Sequence, residues 1–193
     1  MDIIIKNCRL QGAEKLFDVE IDEGKITGIR EKSGEVAREE IDAGGRLLAP
    51  SFLNMHFHLD TVLTAGEPRY NSSGTLLEGI EIWGERKRKM TAGDILKRSE
   101  RAVEMCALYG TTFIRTHADT TEEDLVSVRA LLEAKKRLVG LCDIQITAFP
   151  QDGIITEKGS AELLERAVEL GADCVGAIPH NEYTREDGVE SIK

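Results

Sequence analysis

The sequence predicts an α/β protein: an incomplete (β/α)8 TIM barrel of about four βα units in residues 51–193, preceded in residues 1–50 by part of a small antiparallel β-domain. Before residue 51, apolar and polar side chains alternate between glycine-containing turns, as in short strands. After it, strand-like and helix-like segments alternate, and the last three strands begin about 30 residues apart, the size of one βαβ unit. A complete barrel needs about 200 residues or more, so the repeat predicts a fragment of one.

The predicted elements follow in order along the chain. Residues 2–10, 16–31 and 39–50 carry the alternating strand pattern of the β-domain. Beyond it, Thr91 and Asp94 form a helix-start signal and Gly110 a stop, and the same start signal recurs at Thr121 and Asp124. A further helix is predicted over 160–171, and the basic cluster "GERKRK" is interpreted as a solvated helix end. The predicted barrel strands are 52–58, 111–117, 142–150 and 172–180.

Composition excludes several classes of protein. The formal net charge of −10 argues against nucleic-acid binding, which needs an excess of Lys and Arg. No window has the roughly 18 consecutive apolar residues of a membrane helix, and no glycine-rich nucleotide-binding motif follows a strand. The four cysteines lie far apart without C-x-x-C spacing, and the N-terminus has no targeting pattern, so we expect free thiols in a cytoplasmic protein.

Two histidines end the first predicted barrel strand, in "FLNMHFHLD". Alternate strand residues share a face, so His56 and His58 point the same way, toward the lumen at the end where barrel active sites lie. Two imidazoles about 7 Å apart along a strand can bind one metal ion. Neutral imidazole suits zinc, iron and manganese alike, so this pair leaves the metal's identity open, as well as a purely structural role.

Longer motifs carry a resemblance. "IDAGGRLLAPSFLNMHFHLD" resembles the entry to the amidohydrolase superfamily. With "NSSGTLLEGIEIW", "IRTHAD", "AFPQDGI" and "GADCVGAIPHNEYTREDGVES", the chain resembles the N-terminal half of bacterial metal-dependent cytosine deaminase. Zinc deaminases built on H-x-E together with P-C-x-x-C are excluded, since no C-x-x-C pattern is present.

The resemblance implies a reaction and a site. One divalent metal ion, iron or zinc, activates the water that converts cytosine to uracil and ammonia. His56 and His58 match two metal ligands, Gln151 matches the residue that hydrogen-bonds the amide edge of the base, and Leu76 matches an apolar pocket residue. Other aminated heterocycles, such as isoguanine or an N-alkyl triazine, remain alternatives.

The remaining candidates have structural interpretations. We expect His117 and His180 to be supporting or structural residues near the site, and Asp60 to orient a histidine or cap a turn. Trp83 and Tyr70 lie on the connection after the first barrel strand and are expected to pack.

The resemblance also implies missing parts. Further metal ligands and the acid/base would come from later strands, so we expect the isolated chain to be inactive without a C-terminal partner. The alternatives are a segment of a longer protein, a truncated gene and one half of a two-chain enzyme. The expected partners are a small-molecule base and the missing half of the barrel, and the complete protein is expected to be a homo-oligomer.

Overall fold

A computed structural model describes all of residues 1–193. The chain divides into two compact units, Met1–Pro50 and Ser51–Lys193. None of its helices combines the length and apolar character needed to cross a membrane.

The first unit is a four-stranded sheet in the order β3-β2-β1-β4. Its small core contains Ile4, Cys8 and Val19. The prediction of an antiparallel sheet is wrong for one strand, because β4 pairs parallel to β1, with Ile3 opposite Glu39. The alternation of apolar and polar residues is the same in both directions of a strand, so direction could not be inferred from it. The strands are β1 (Ile3–Arg9), β2 (Leu16–Asp22), β3 (Lys25–Arg30) and β4 (Glu39–Asp42).

The second unit is a parallel four-stranded sheet, in the order β5-β6-β7-β8, with connecting helices. Because all four strands run the same way, their carboxyl ends meet at one edge of the sheet. The elements are β5 (Phe52–Phe57), α1 (Leu76–Lys87), α2 (Ala92–Leu108), β6 (Thr111–Asp119), α3 (Val126–Arg137), β7 (Asp143–Phe149), α4 (Ser160–Leu170), β8 (Cys174–Val175), a 3-10 turn (Pro179–Asn181) and α5 (Arg185–Glu190).

Two of the helix signals in the sequence are confirmed. The Thr91 side chain accepts a hydrogen bond from the backbone N–H of Asp94 at the start of α2. Gly110 follows the end of α2 in the left-handed region, with φ of 85°. The start signal at Thr121 and Asp124 is wrong, because α3 begins after Leu125 and has no side-chain cap. The hydroxyl of Thr121 instead donates to Asp119 at 2.5 Å.

The core of the second unit lies between the sheet and its helices. Ile114 and Ile146 of the sheet and Val128 and Leu131 of α3 are fully buried there. The last strand is shorter than predicted, covering Cys174–Val175 only. Beyond it the chain turns into Pro179–Asn181, and proline cannot donate a hydrogen bond to a neighbouring strand.

The basic cluster at the end of α1 differs from its interpretation as a solvated helix end. Lys87 is only 8% exposed and contacts carboxylates from two other segments. Arg86 forms ion pairs with Glu67 and Asp94, both at 3.0 Å. The cluster therefore holds α1 against the rest of the second unit.

Candidate metal and base-binding site

Three imidazole rings meet at the carboxyl edge of the parallel sheet. His56 lies in β5, His58 directly follows it, and His117 lies near the end of β6. The ring centroids are 4.3 Å apart for His56 and His117, 5.1 Å for His58 and His117, and 5.3 Å for His56 and His58. One potential ligand atom from each residue lies within 4.8 Å of the other two. The sequence placed His117 in a supporting role, whereas the structure brings it into ligand range.

The surroundings keep the rings of His58 and His117 neutral. Burial, together with His117 and His56, lowers the pKa of His58 to about 4, although Asp119 acts in the opposite direction. Burial also lowers the pKa of His117. Nδ1 of His117 lies 3.3 Å from the carbonyl oxygen of Phe57, which can only accept, so this nitrogen carries the proton and Nε2 keeps its lone pair. Neutral imidazoles with free lone pairs are the form that binds a metal ion.

A cavity of about 820 Å³ adjoins the three rings. This is within the usual range for a small-molecule site. Phe149 packs its ring edge-on against His58 and His117, with centroids 5.8 and 5.2 Å away. Gln151 and Leu76 line the same cavity, so the structure brings all four residues singled out by the resemblance together.

Of the other candidates named from the sequence, three line the cavity and one lies outside its lining, in a hydrogen bond to the backbone. His180 and Tyr70 line the cavity, and Tyr70 is 76% exposed. Trp83 also lines it, but is largely buried and donates from Nε1 to Asp119 at 3.0 Å. Asp60 contacts neither histidine ring through a hydrogen bond; its Oδ2 accepts the backbone N–H of Asp119 at 2.9 Å.

A buried charged cluster supports the cavity wall. The ammonium of Lys87 lies 3.3 Å from Asp119, donates to the Thr121 hydroxyl at 2.7 Å and forms a short ion pair with Asp152. Burial opposes the charge on Lys87, but attraction to the two carboxylates outweighs it and raises the pKa of the ammonium. Burial raises the pKa of nearby Asp60 to about 7.

These residues suit a divalent transition metal. Three imidazoles form a donor set that zinc and iron accept, and a catalytic zinc commonly has three protein ligands. The only carboxylate lining the cavity is Glu67, which is already paired with Arg86. The cavity thus combines metal-binding donors with an amide and an apolar surface, and has no free carboxylate.

Comparison with known proteins finds relatives among hydrolases and deaminases. No family model matches the chain. N-isopropylammelide isopropyl amidohydrolase from Pseudomonas sp. (strain ADP) is 31% identical over 98% of this chain and 48% of its own length. The crystal structure of 5-methylcytosine deaminase from Klebsiella pneumoniae, liganded with phosphonocytosine, is 43% identical with a TM-score of 0.93, over 98% of this chain and 47% of that one.

A more distant structure shares only the fold. A mutant of atrazine chlorohydrolase from Arthrobacter aurescens, complexed with zinc and atraton, is 21% identical with a TM-score of 0.57, over 80% of this chain and 37% of that one. The chain spans about half the length of the relatives it matches.

With its parallel sheet and histidine cluster, the chain is similar to amidohydrolases over nearly its whole length. Within that class it resembles 5-methylcytosine deaminase over nearly its whole length, and corresponds to about half of that protein. The resemblance to cytosine deaminase that the sequence motifs indicated is therefore confirmed.

Proposed function

We propose that this chain is the N-terminal half of a metal-dependent hydrolytic deaminase acting on a pyrimidine-type base, cytosine to uracil and ammonia. Residues 51–193 then form the first half of a (β/α)8 barrel, and residues 1–50 form part of its flanking β-domain. One observation carries the proposal: the three imidazoles share a cavity with Gln151 and Leu76. The 43% identity to 5-methylcytosine deaminase supports the choice of substrate class.

Each residue of the site has a role. His56 and His58 hold one divalent ion, zinc or iron, and His117 offers a third imidazole beside them. When bound, such an ion acts as a Lewis acid and makes a water nucleophile available at neutral pH. Gln151 can both donate to and accept from the amide edge of the base, and Leu76 gives the cavity an apolar surface.

The same site has no free carboxylate that could act as the acid/base. Departing ammonia needs a proton from a positioned acid, and the one carboxylate of the cavity, Glu67, is neutralised by Arg86 at 3.0 Å. We therefore expect the 193-residue chain to bind metal and base but to release ammonia at a rate close to background. A C-terminal partner segment would supply the acid/base.

Two measurements test the proposal. The purified chain should hold about one zinc or iron ion per molecule by elemental analysis. Ammonia release from cytosine should appear only when a C-terminal segment is added. A chain that binds no metal refutes the proposed function, and a chain that deaminates cytosine alone refutes the incomplete site.

A second substrate class has support of its own. The 31% identity to an N-isopropylammelide amidohydrolase over 98% of the chain favours an N-alkyl triazine. The two candidates differ in the amine that leaves, because cytosine releases ammonia and an N-alkyl triazine releases an alkylamine. Assaying both amines from the completed enzyme distinguishes them, and isoguanine can be tested in the same ammonia assay.

A further inference from the structure

A single carboxylate organises the loop that follows β7. Glu182 accepts backbone N–H groups from three consecutive residues, Ile154 at 2.7 Å, Ile155 at 3.1 Å and Thr156 at 2.8 Å. It also accepts the hydroxyl of Thr156 at 2.9 Å. Glu182 itself is only 9% exposed. Consecutive N–H groups converging on one anion form a compact, strongly held backbone arrangement.

The backbone of the loop is shaped around this carboxylate. Gly153 has φ of 101°, a conformation that other residues rarely adopt. A Cβ at this position would lie 3.0 Å from Oε2 of Glu182, so a side chain there would push the carboxylate away. The loop can therefore take this path only with glycine at 153 and an acceptor at 182.

The loop carries Gln151 into the cavity. Asn181, next to Glu182, donates from its side chain to the carbonyl oxygen of Gln151 at 3.4 Å. The Thr156 hydroxyl, which donates to Glu182, also lies 3.3 Å from the carbonyl oxygen of Asn181, so the two segments are in close contact. Glu182 and Asn181 thus fix the loop on the side that follows Gln151.

We propose that Glu182 is a positioning residue: by binding the amides of 154–156 it sets the place of Gln151 in the cavity and so the affinity for the base. This proposal rests on the proposed function for the contact between Gln151 and the base. Its geometric part, the fixing of the loop by Glu182, does not.

Hydrogen exchange on the full 193-residue chain tests the geometric part. In Glu182→Gln, protection of the amides of 154–156 should fall by about tenfold or more, because an amide side chain can accept at only one of its two ends. Gly153→Ala should also lower the protection of these amides, because the added methyl group would displace the Glu182 carboxylate. Glu186→Gln removes an exposed charge from the same segment and should leave protection unchanged. Protection in β6 shows whether each variant is folded.

Binding measurements test the link to the base. By calorimetry, Glu182→Gln should weaken cytosine binding about five- to tenfold, which is the effect of losing about one hydrogen bond to the base. The zinc stoichiometry should stay at the wild-type value. A merely structural role would reduce both.

Each outcome has a distinct meaning. Unchanged protection at 154–156 in Glu182→Gln overturns the proposal, and so does wild-type cytosine affinity in that variant. If protection falls as expected but even the wild-type chain fails to bind cytosine, the proposed function fails while the loop-fixing role of Glu182 stands.

Discussion

Replacing Lys87 with methionine should destabilise the second unit strongly. The substitution keeps the length of the side chain but leaves the buried carboxylate of Asp119, which is 4% exposed, without its cation. Removing one partner of a buried ion pair costs about 3–5 kcal/mol. Asp119 still accepts from Trp83 and from Thr121, so we expect the lower end, about 3 kcal/mol. With typical urea slopes of about 1–3 kcal/mol/M, this lowers the unfolding midpoint by about 1–3 M.

The assay follows the fluorescence of Trp83 during urea unfolding. Trp83 is the only tryptophan of the chain and donates to Asp119, so its signal reports on this cluster and the unit around it. Lys89→Met is the matched control, since Lys89 is exposed two residues further along, and should cost less than about 0.5 kcal/mol. If the free energies of unfolding of the two variants differ by less than about 0.5 kcal/mol, the buried cluster does not stabilise the unit and the reasoning is wrong.

Two further predictions concern a helix cap and pH. Thr91→Ala removes the acceptor for the Asp94 amide at the start of α2 and should lower the free energy of unfolding by about 1 kcal/mol; a loss below a few tenths would contradict the cap. The amides around Glu182 outweigh the effect of its burial and lower its pKa, so its contribution to stability is present above the ordinary glutamate pKa of about 4.3 and is lost as pH falls through the lowered folded value. The stability difference between wild type and Glu182→Gln should therefore shrink in acid, and a difference that is constant with pH would refute the assignment.

Local signals in the sequence predicted most of the second unit. The cap at Thr91 and the stop at Gly110 depend on residues within a few positions of the helix ends, and both are found. Where a competing long-range contact exists, the local signal fails. Thr121 has the right spacing for a helix cap, but its hydroxyl bonds Asp119 instead.

The features that were missed depend on long-range pairing. Lys87 meets Asp119 and Asp152 across 32 and 65 residues, so its burial could not be inferred from a basic run in which every neighbour is also charged. His117 joins the other histidines because β6 pairs with β5, with Phe57 opposite Thr116. That register includes irregularities, and one residue of slip would turn the ring to the other face.

The sequence motif around His56 and His58 correctly predicted that both rings lie near Gln151, for a different reason. It places both rings at the end of a strand, and the parallel order of the sheet brings that end beside the loop that carries Gln151. Chain order and strand direction alone predict this meeting, without any knowledge of register.

Zinc binding by single-histidine variants tests the central claim most directly. Equilibrium dialysis of the wild-type chain should give about one zinc per molecule, and His58→Ala should weaken binding at least about 100-fold, more than the loss of an outer supporting group costs. His180→Ala is the matched control, since His180 lines the same cavity outside the three-histidine cluster, and it should bind zinc like the wild type. Equal affinities for the two variants would contradict a metal site built on His56, His58 and His117.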